Sequence, residues 1–247
     1  MKRSVIASVA VIVMLGSPAL YGAQISPSPL VSPEFTKQKS EGRGEVVYIN
    51  YDSVHGLGLQ GAKRYPLSDQ FALTPSLGVY HLQGDHRYSD SIAGNIKHEI
   101  DYNFVSGGLR AEAQHRHESV NFILFGGALL HYGKSDDTTT SDEFGKESMK
   151  ITDKGVGWEI GAQASIQTGT LMTTIFYKYD EMRVDSSTKD SSSNQVVSDQ
   201  DQKFTFKSST VGIDLLFPNG VSLSGLYSMP DRSNSEDITI IKLGFAF

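Results

Sequence analysis

Cysteine is absent from this 247-residue chain, so no disulfide, thiolate metal site or lipoprotein-type acyl anchor is open to it. Positive charge is scarce: 22 lysines and arginines face 28 aspartates and glutamates, a net charge of −6. An acidic chain is a poor ligand for nucleic acid, which excludes that class of partner. Long apolar runs are missing as well. After the first two dozen residues nothing approaches the roughly 18 consecutive apolar residues of a membrane-crossing helix. Mean hydropathy is negative. That does not exclude crossing by strands, since a barrel strand shows lipid only every second residue.

What is present begins at the N-terminus. Lys2 and Arg3 precede an apolar run from Val5 to Leu15, followed by Gly16, Ser17, Pro18 and then Ala19 to Ala23. This is the three-part layout of a secretory signal peptide over residues 1–23, expected to be cleaved after Ala23, with Gly22 and Ala19 as alternatives. As an uncleaved anchor the run would be too short for a bilayer of roughly 30 Å. Losing Lys2 and Arg3 takes the net charge from −6 to −8. Residues 24–44, with Pro27, Pro29 and Pro33 among serines, read as a flexible periplasmic leader. Residues 45–247 remain for one all-β domain. An exported domain without disulfides needs another source of cohesion, and a closed barrel supplies it by pairing every strand.

Strand-like runs fill that domain. In Gly155 to Gln167, Val156, Trp158, Ile160, Ala162, Ala164 and Ile166 share one face, while Glu159, Gln163 and Ser165 share the other. The lone tryptophan is expected on the lipid side near a membrane edge. In Leu171 to Met182 the outward set is Leu171, Thr173, Ile175, Tyr177 and Tyr179, with Lys178 and Asp180 inward. In Val221 to Met229 it is Val221, Leu223, Gly225, Tyr227 and Met229. Two runs change parity midway: Tyr102 and Phe104 disagree with Leu109 and Ala111, and Phe204 and Phe206 with Val211, Ile213 and Leu215. Bulges near Gly107-Gly108 and Ser208-Ser209 would reconcile them. The connections alternate in kind. Short ones fall at 66–70, 114–119, 167–170 and 218–220; long polar ones fall at 84–97, 133–154, 185–202 and 230–236.

The final residues, Asp237 to Phe247, put Thr239, Ile241, Leu243, Phe245 and Phe247 on one face and Lys242 with small residues on the other. Ending on this pattern, the chain resembles the small porin-like bacterial outer-membrane β-barrels. The resemblance covers 45–247. It implies export through the periplasm to the outer membrane, lipid and lipopolysaccharide as surroundings, and a monomer. It also implies an assembly signal at Ile241, Leu243, Phe245 and Phe247, read by periplasmic chaperones and the barrel-assembly machinery. The fold expected is a closed antiparallel transmembrane β-barrel with short periplasmic turns and longer extracellular loops. An even count is required of such a barrel. Splitting 45–65 into Glu45–Asp52 and Leu57–Tyr65 about an outer turn at Ser53–Gly56 gives ten strands. Eight is the alternative, with the first run as a plug or leader.

The inward parity of those strands collects Arg110, Glu112, Glu159, Lys178, Asp180, Asp214 and Lys242, expected to pair across the bore because unpaired charges there are costly. Barrels of this size are filled mostly by their own side chains. A thin charged pore is the sharper alternative. His115 and His117 sit in a turn without further ligands, which reads as solvated rather than as a metal site. Asp85-His86 and Asp136-Asp137 carry no catalytic motif. Gly107-Gly108 and Gly126-Gly127 fall mid-strand and suit bulges or close packing, not a phosphate loop. Acids at the front of the second long stretch (Asp136, Asp137, Asp142, Glu143) and along the third (Asp185, Asp190, Asp199, Asp201) could meet lipopolysaccharide phosphates through divalent cations, or simply be solvated. No cofactor, metal or enzymatic activity is expected. The functional expectation is a structural or surface-interaction role, adhesion or binding. A narrow channel for ions or small solutes is the alternative, and a lipid- or peptide-modifying enzyme is the third.

Overall fold

A computed structural model describes residues 42–51, 53–90, 94–142, 145–190, 200–231 and 237–247. The signal segment and all but the end of the leader lie outside the described residues. What is described is all-β: β1 (Gly42–Tyr51), β2 (Val54–Lys63), β3 (Tyr65–Pro66), β4 (Phe71–Asp90), β5 (Gly94–His117), β6 (Val120–Ser141), β7 (Gly145–Thr168), β8 (Leu171–Asp190), β9 (Gln200–Leu216), β10 (Val221–Pro230) and β11 (Ile238–Ala246). Strands pair antiparallel in sequence order, except that β2 and β3 both pair with β4 rather than with each other. β1 pairs with β11, Arg43 opposite Ala246 through Asn50 opposite Thr239, and this closes the cylinder. Val54 opposite Gly84 and Tyr65 opposite Leu73 keep one register, so β3 is the tail of β2 beyond Arg64. The wall therefore has ten strands, not eight.

Closure follows from alternation. On β11, Ile241, Leu243 and Phe245 face outward at 47%, 57% and 54% exposure while Lys242 faces in at 1%. Trp158 faces outward beside Tyr179, ring centroids 5.6 Å apart. Outward apolar runs such as Leu171 to Tyr179 and Val105 to Ala113 cover about nine residues, close to the 9–11 that a tilted strand needs to cross a bilayer. No described helix is long and apolar enough to cross a membrane. β1, β2, β10 and β11 have nine or ten residues and barely exceed that span. β5 and β7 have 24 each and β6 has 22. Six neighbouring strands, β4 to β9, thus rise well beyond the crossing on the side opposite the short turns.

This corrects three expectations. The long loops at 84–97 and 133–154 are mostly paired strand: Asp90 faces Gly94 and Ser141 faces Gly145. Above the membrane the outward face has no lipid to meet, so the apolar alternation fades while the backbone ladder continues. The outer turn is narrower than Ser53–Gly56, since Tyr51 already faces Val54, and the first strand begins at Gly42 rather than Glu45. The two bulges are absent. β4 to β5 and β8 to β9 run in unbroken register past Gly107-Gly108 and Ser208-Ser209. Parity never changes; Tyr102, Phe104 and Phe206 face the bore and are buried there.

Candidate functional site

The inner face is the part of this fold with chemistry to explain. All seven charged residues singled out by parity lie on it, each no more than 5% exposed. Arg110 Nε donates to Glu159 Oε1 at 2.9 Å, and its guanidinium lies 4.2 Å from the centroid of the Phe125 ring. Lys178 Nζ donates to Asp180 Oδ2 at 2.8 Å, whose other oxygen accepts from Ser208 at 2.9 Å. Asp214 Oδ1 accepts from Ser224 at 2.6 Å. Lys242 is buried among the charges of Glu45, Lys178, Asp214 and Arg110.

The remaining partners come from residues that the parity reading did not single out. Arg43 Nη1 donates to Asp214 Oδ1 at 2.9 Å, and Arg64 Nε donates to Glu112 Oε2 at 2.9 Å. Thr74 completes the Glu112 carboxylate at 2.7 Å. Glu45 accepts from Gln60, which in turn accepts from the Tyr80 hydroxyl at 2.7 Å. Arg43 fell within the expected leader. Arg64 ended a strand whose inward parity, Gln60 and Ala62, was readable. Counted together, Arg43, Arg64, Arg110, Lys178 and Lys242 balance Glu45, Glu112, Glu159, Asp180 and Asp214. Five cations against five anions leave this part of the bore neutral.

Against the charges packs an apolar cluster that crosses the bore: Val47, Ile49, Val54, Tyr80, Leu82, Ile100, Tyr102, Phe104, Phe176, Leu226, Ile238 and Ile240, none above 8% exposed. Tyr80 stacks on Phe104 at 4.6 Å and Phe104 on Tyr102 at 5.2 Å. The Tyr102 hydroxyl lies 2.7 Å from His131 Nε2. Glycine makes room for the rings. A methyl at Gly58 would overlap Tyr80, and one at Gly212 would overlap Phe176. Such strand glycines mark a close approach, here of aromatic faces to the neighbouring backbone.

Above the membrane crossing, the inner face of the rising strands holds Asp137, Asp153 and His98, all buried. His98 Nδ1 lies 3.0 Å from Thr139 Oγ1, and Asp137 accepts from Ser135. Burial, aided by the Asp137 charge, pushes the Asp153 carboxyl up to about 6. The acids read as possible cation bridges or simply as solvated are therefore divided between the two faces. Asp137 points in, while Asp136 and Asp185 point out and are exposed. Glu143 and Asp199 lie outside the described residues. Asp85 is exposed on the outer wall beside Arg87, and His115 and His117 are exposed at the end of β5.

Neither a protein-family model nor any curated protein sequence matches this chain. Solved structures do resemble it. The outer membrane protease OmpT from Escherichia coli is similar over 84% of this chain and 94% of its own, with 11% identity and a TM-score of 0.56. The translocator domain of autotransporter NalP from Neisseria meningitidis is similar over 83% and 86%, with 11% identity and a TM-score of 0.47. An outer membrane channel from Pseudomonas putida F1 covers 91% of this chain and 100% of its own, with 11% identity and a TM-score of 0.42. At such identities the likeness is one of fold: the closed β-barrel of the bacterial outer membrane.

Proposed function

We propose that this outer-membrane β-barrel is a sealed structural element that presents its rising strands as an interaction surface outside the cell. The observation that carries the reading is the filled bore. A charge-balanced layer and a twelve-residue apolar cluster together occupy it. A pathway for ions needs water or a run of unbalanced polar groups, and the buried side chains of Tyr80, Phe104, Phe176 and Ile240 speak against one. The surface role draws its support from β4 to β9, which project far beyond what crossing requires. Strands kept that long put exposed polar wall, rather than floppy loop, in front of a partner. A rigid surface binds with less ordering cost than a disordered one.

The test has two readouts. In planar bilayers the purified full-length chain is expected to give no discrete conductance steps at any salt; reproducible single-channel openings would replace the sealed reading with the channel reading. Cells carrying the protein are expected to adhere to host or abiotic surfaces less well when residues 138–148 are replaced by Asn-Gly, which trims the β6–β7 hairpin at its paired ends. Unchanged adherence would remove the surface role and leave a purely structural one.

A further inference from the structure

We propose that the outer wall over β4 to β9 carries a docking site for a phosphorylated lipid of the outer leaflet. Its phosphates are held by Lys154, Arg183 and Lys203, and one acyl chain lies along a slot at Gly107. The inference rests on the outer-membrane location and is independent of whether the bore conducts.

The cations are collected by register. Immediately above the apolar belt, Lys154 on β7 faces Asp185 on β8, which faces Lys203 on β9. Arg183, two positions below Asp185, faces Val156. Asp185 lies 3.7 Å from Lys203 and is the carboxylate within the groove. Three cations and one anion leave two positive charges on the groove of a chain whose net charge is −6. Lys134 on β6, 5.8 Å from the Tyr132 ring centroid, and Lys207 on β9, 3.7 Å from Glu181, border the same row. Farther along β4 and β5 the outward charges are Asp85, Glu99 and Asp101 against Arg87 and Lys97: Arg87 pairs with Asp85, Lys97 with Glu99, and Asp101 lies 3.6 Å from His81. Positive charge is thus concentrated on one flank, at the level where lipid phosphates lie.

The floor below the cations selects a lipid over free phosphate. Leu77, Gly107 and Leu130 stand side by side on β4, β5 and β6. Gly107 leaves a gap between two leucines, with Val156 beside Leu130 and Val105 two positions farther up β5, in an open groove of about 780 Å³. A Cβ at Gly107 would meet only ordinary contacts, at 3.5 Å and 3.8 Å, so the gap is not needed for strand packing. An acyl chain fills such a slot while its headgroup phosphate reaches the cations directly. This differs from one of the two readings of the loop acids in the sequence, in which they would reach lipopolysaccharide through divalent cations rather than simply be solvated. The structure turns Asp137 into the bore, leaves Asp136 and Asp185 outside beside Lys150 and Lys203, and adds Lys154 and Arg183 to that surface.

The experiment uses the full chain folded in detergent, confirmed by heat-modifiable gel mobility, with binding read by native mass spectrometry. The probes are bisphosphorylated lipid A, its dephosphorylated form and inorganic phosphate. Wild type is expected to retain the bisphosphorylated lipid. At about fivefold per cation, K154Q/R183Q/K203Q is expected to lose roughly a hundredfold in affinity. G107L keeps every cation and is expected to lose about tenfold, the equivalent of roughly two buried methylenes. R87Q/K97Q, on the other flank, is expected to bind as wild type. Should the triple variant fail to fold, G107L and single K154Q decide. Equal affinity for dephosphorylated lipid, binding of inorganic phosphate as tight as that of the lipid, or wild-type affinity in G107L and K154Q would each overturn the site.

Discussion

Replacing Glu159 by glutamine asks whether the bore is dry. The substitution keeps the side-chain volume and removes one charge from the Arg110–Glu159 pair, whose side chains are 6% and 4% exposed with 2.9 Å between Nε and Oε1. Two unit charges about 4 Å apart attract by roughly 4 kcal/mol at an effective dielectric of about 20, and by roughly 1 kcal/mol in water. In a filled bore Arg110 would be left buried without its counter-charge, a loss of about 3–5 kcal/mol. In a water-lined bore the same change costs about 0–1 kcal/mol. The Arg110→Met/Glu159→Met double variant separates the effects. Methionine keeps the contact with Phe125, and removing both charges is expected to restore most of the stability. Equilibrium urea unfolding of the detergent-folded chain can be followed through Trp158, the single tryptophan. With an m-value near 3 kcal/mol/M the midpoint of Glu159→Gln falls by about 1 M or more. A shift below about 0.3 M, or a double variant worse than the single, would refute the dry-bore reasoning.

Other outcomes follow from the same packing. Tyr80→Ala/Phe104→Ala removes two stacked rings, each costing about 3–5 kcal/mol, and is expected to produce conductance steps that wild type lacks. Gly212→Leu collides with the Phe176 ring and is expected to cost about 1–3 kcal/mol by overpacking. Gly225→Ala meets open space and should stay within about 0.5 kcal/mol of wild type in the same unfolding assay. Asp153 has a folded pKa of about 6, above the ordinary aspartate value. Its contribution is therefore fully present below about pH 4 and is lost as pH rises through 6, so Asp153→Asn should flatten that part of the stability profile. A variant profile that parallels wild type between pH 4 and 7 would contradict the assignment.

Legibility varied with what each face touches. On β7 over 155–167 the inward positions are polar or glycine. On β8, β10 and β11 charged or hydroxyl side chains mark the inward face even though Phe176, Leu226, Ile238 and Ile240 also lie there, so parity alone placed Trp158, Lys178, Ser224 and Lys242 on their observed sides. On β5 and β9 the upper bore is itself greasy. Tyr102, Phe104 and Phe206 then look like lipid-facing residues, and a bulge seemed necessary where the register in fact runs through. Strand ends above the membrane were hidden for the opposite reason. Ser, Thr and Asp alternate there with no hydrocarbon to impose a pattern, and they read as loop. The charge layer was visible on one strand at a time, but its pairing was not. Arg43 comes from the first strand and meets Asp214 of β9 only because β1 pairs with β11 and closes the cylinder, while Arg64 meets Glu112 of β5 across β4. Closure is long-range information that alternation within a strand does not carry.

The chain's lack of cysteine makes a background-free scan possible. Single cysteines placed one at a time from Ile160 to Ile166, spin-labelled in reconstituted vesicles, report collisions with lipid-soluble oxygen and with a water-soluble nickel chelate. Labels at positions 160, 162, 164 and 166 should be open to oxygen, and labels at 161, 163 and 165 closed to both reagents. Nickel reaching 163 or 165 would mean a wet bore. Loss of the two-residue period would mean that neither face of β7 meets lipid.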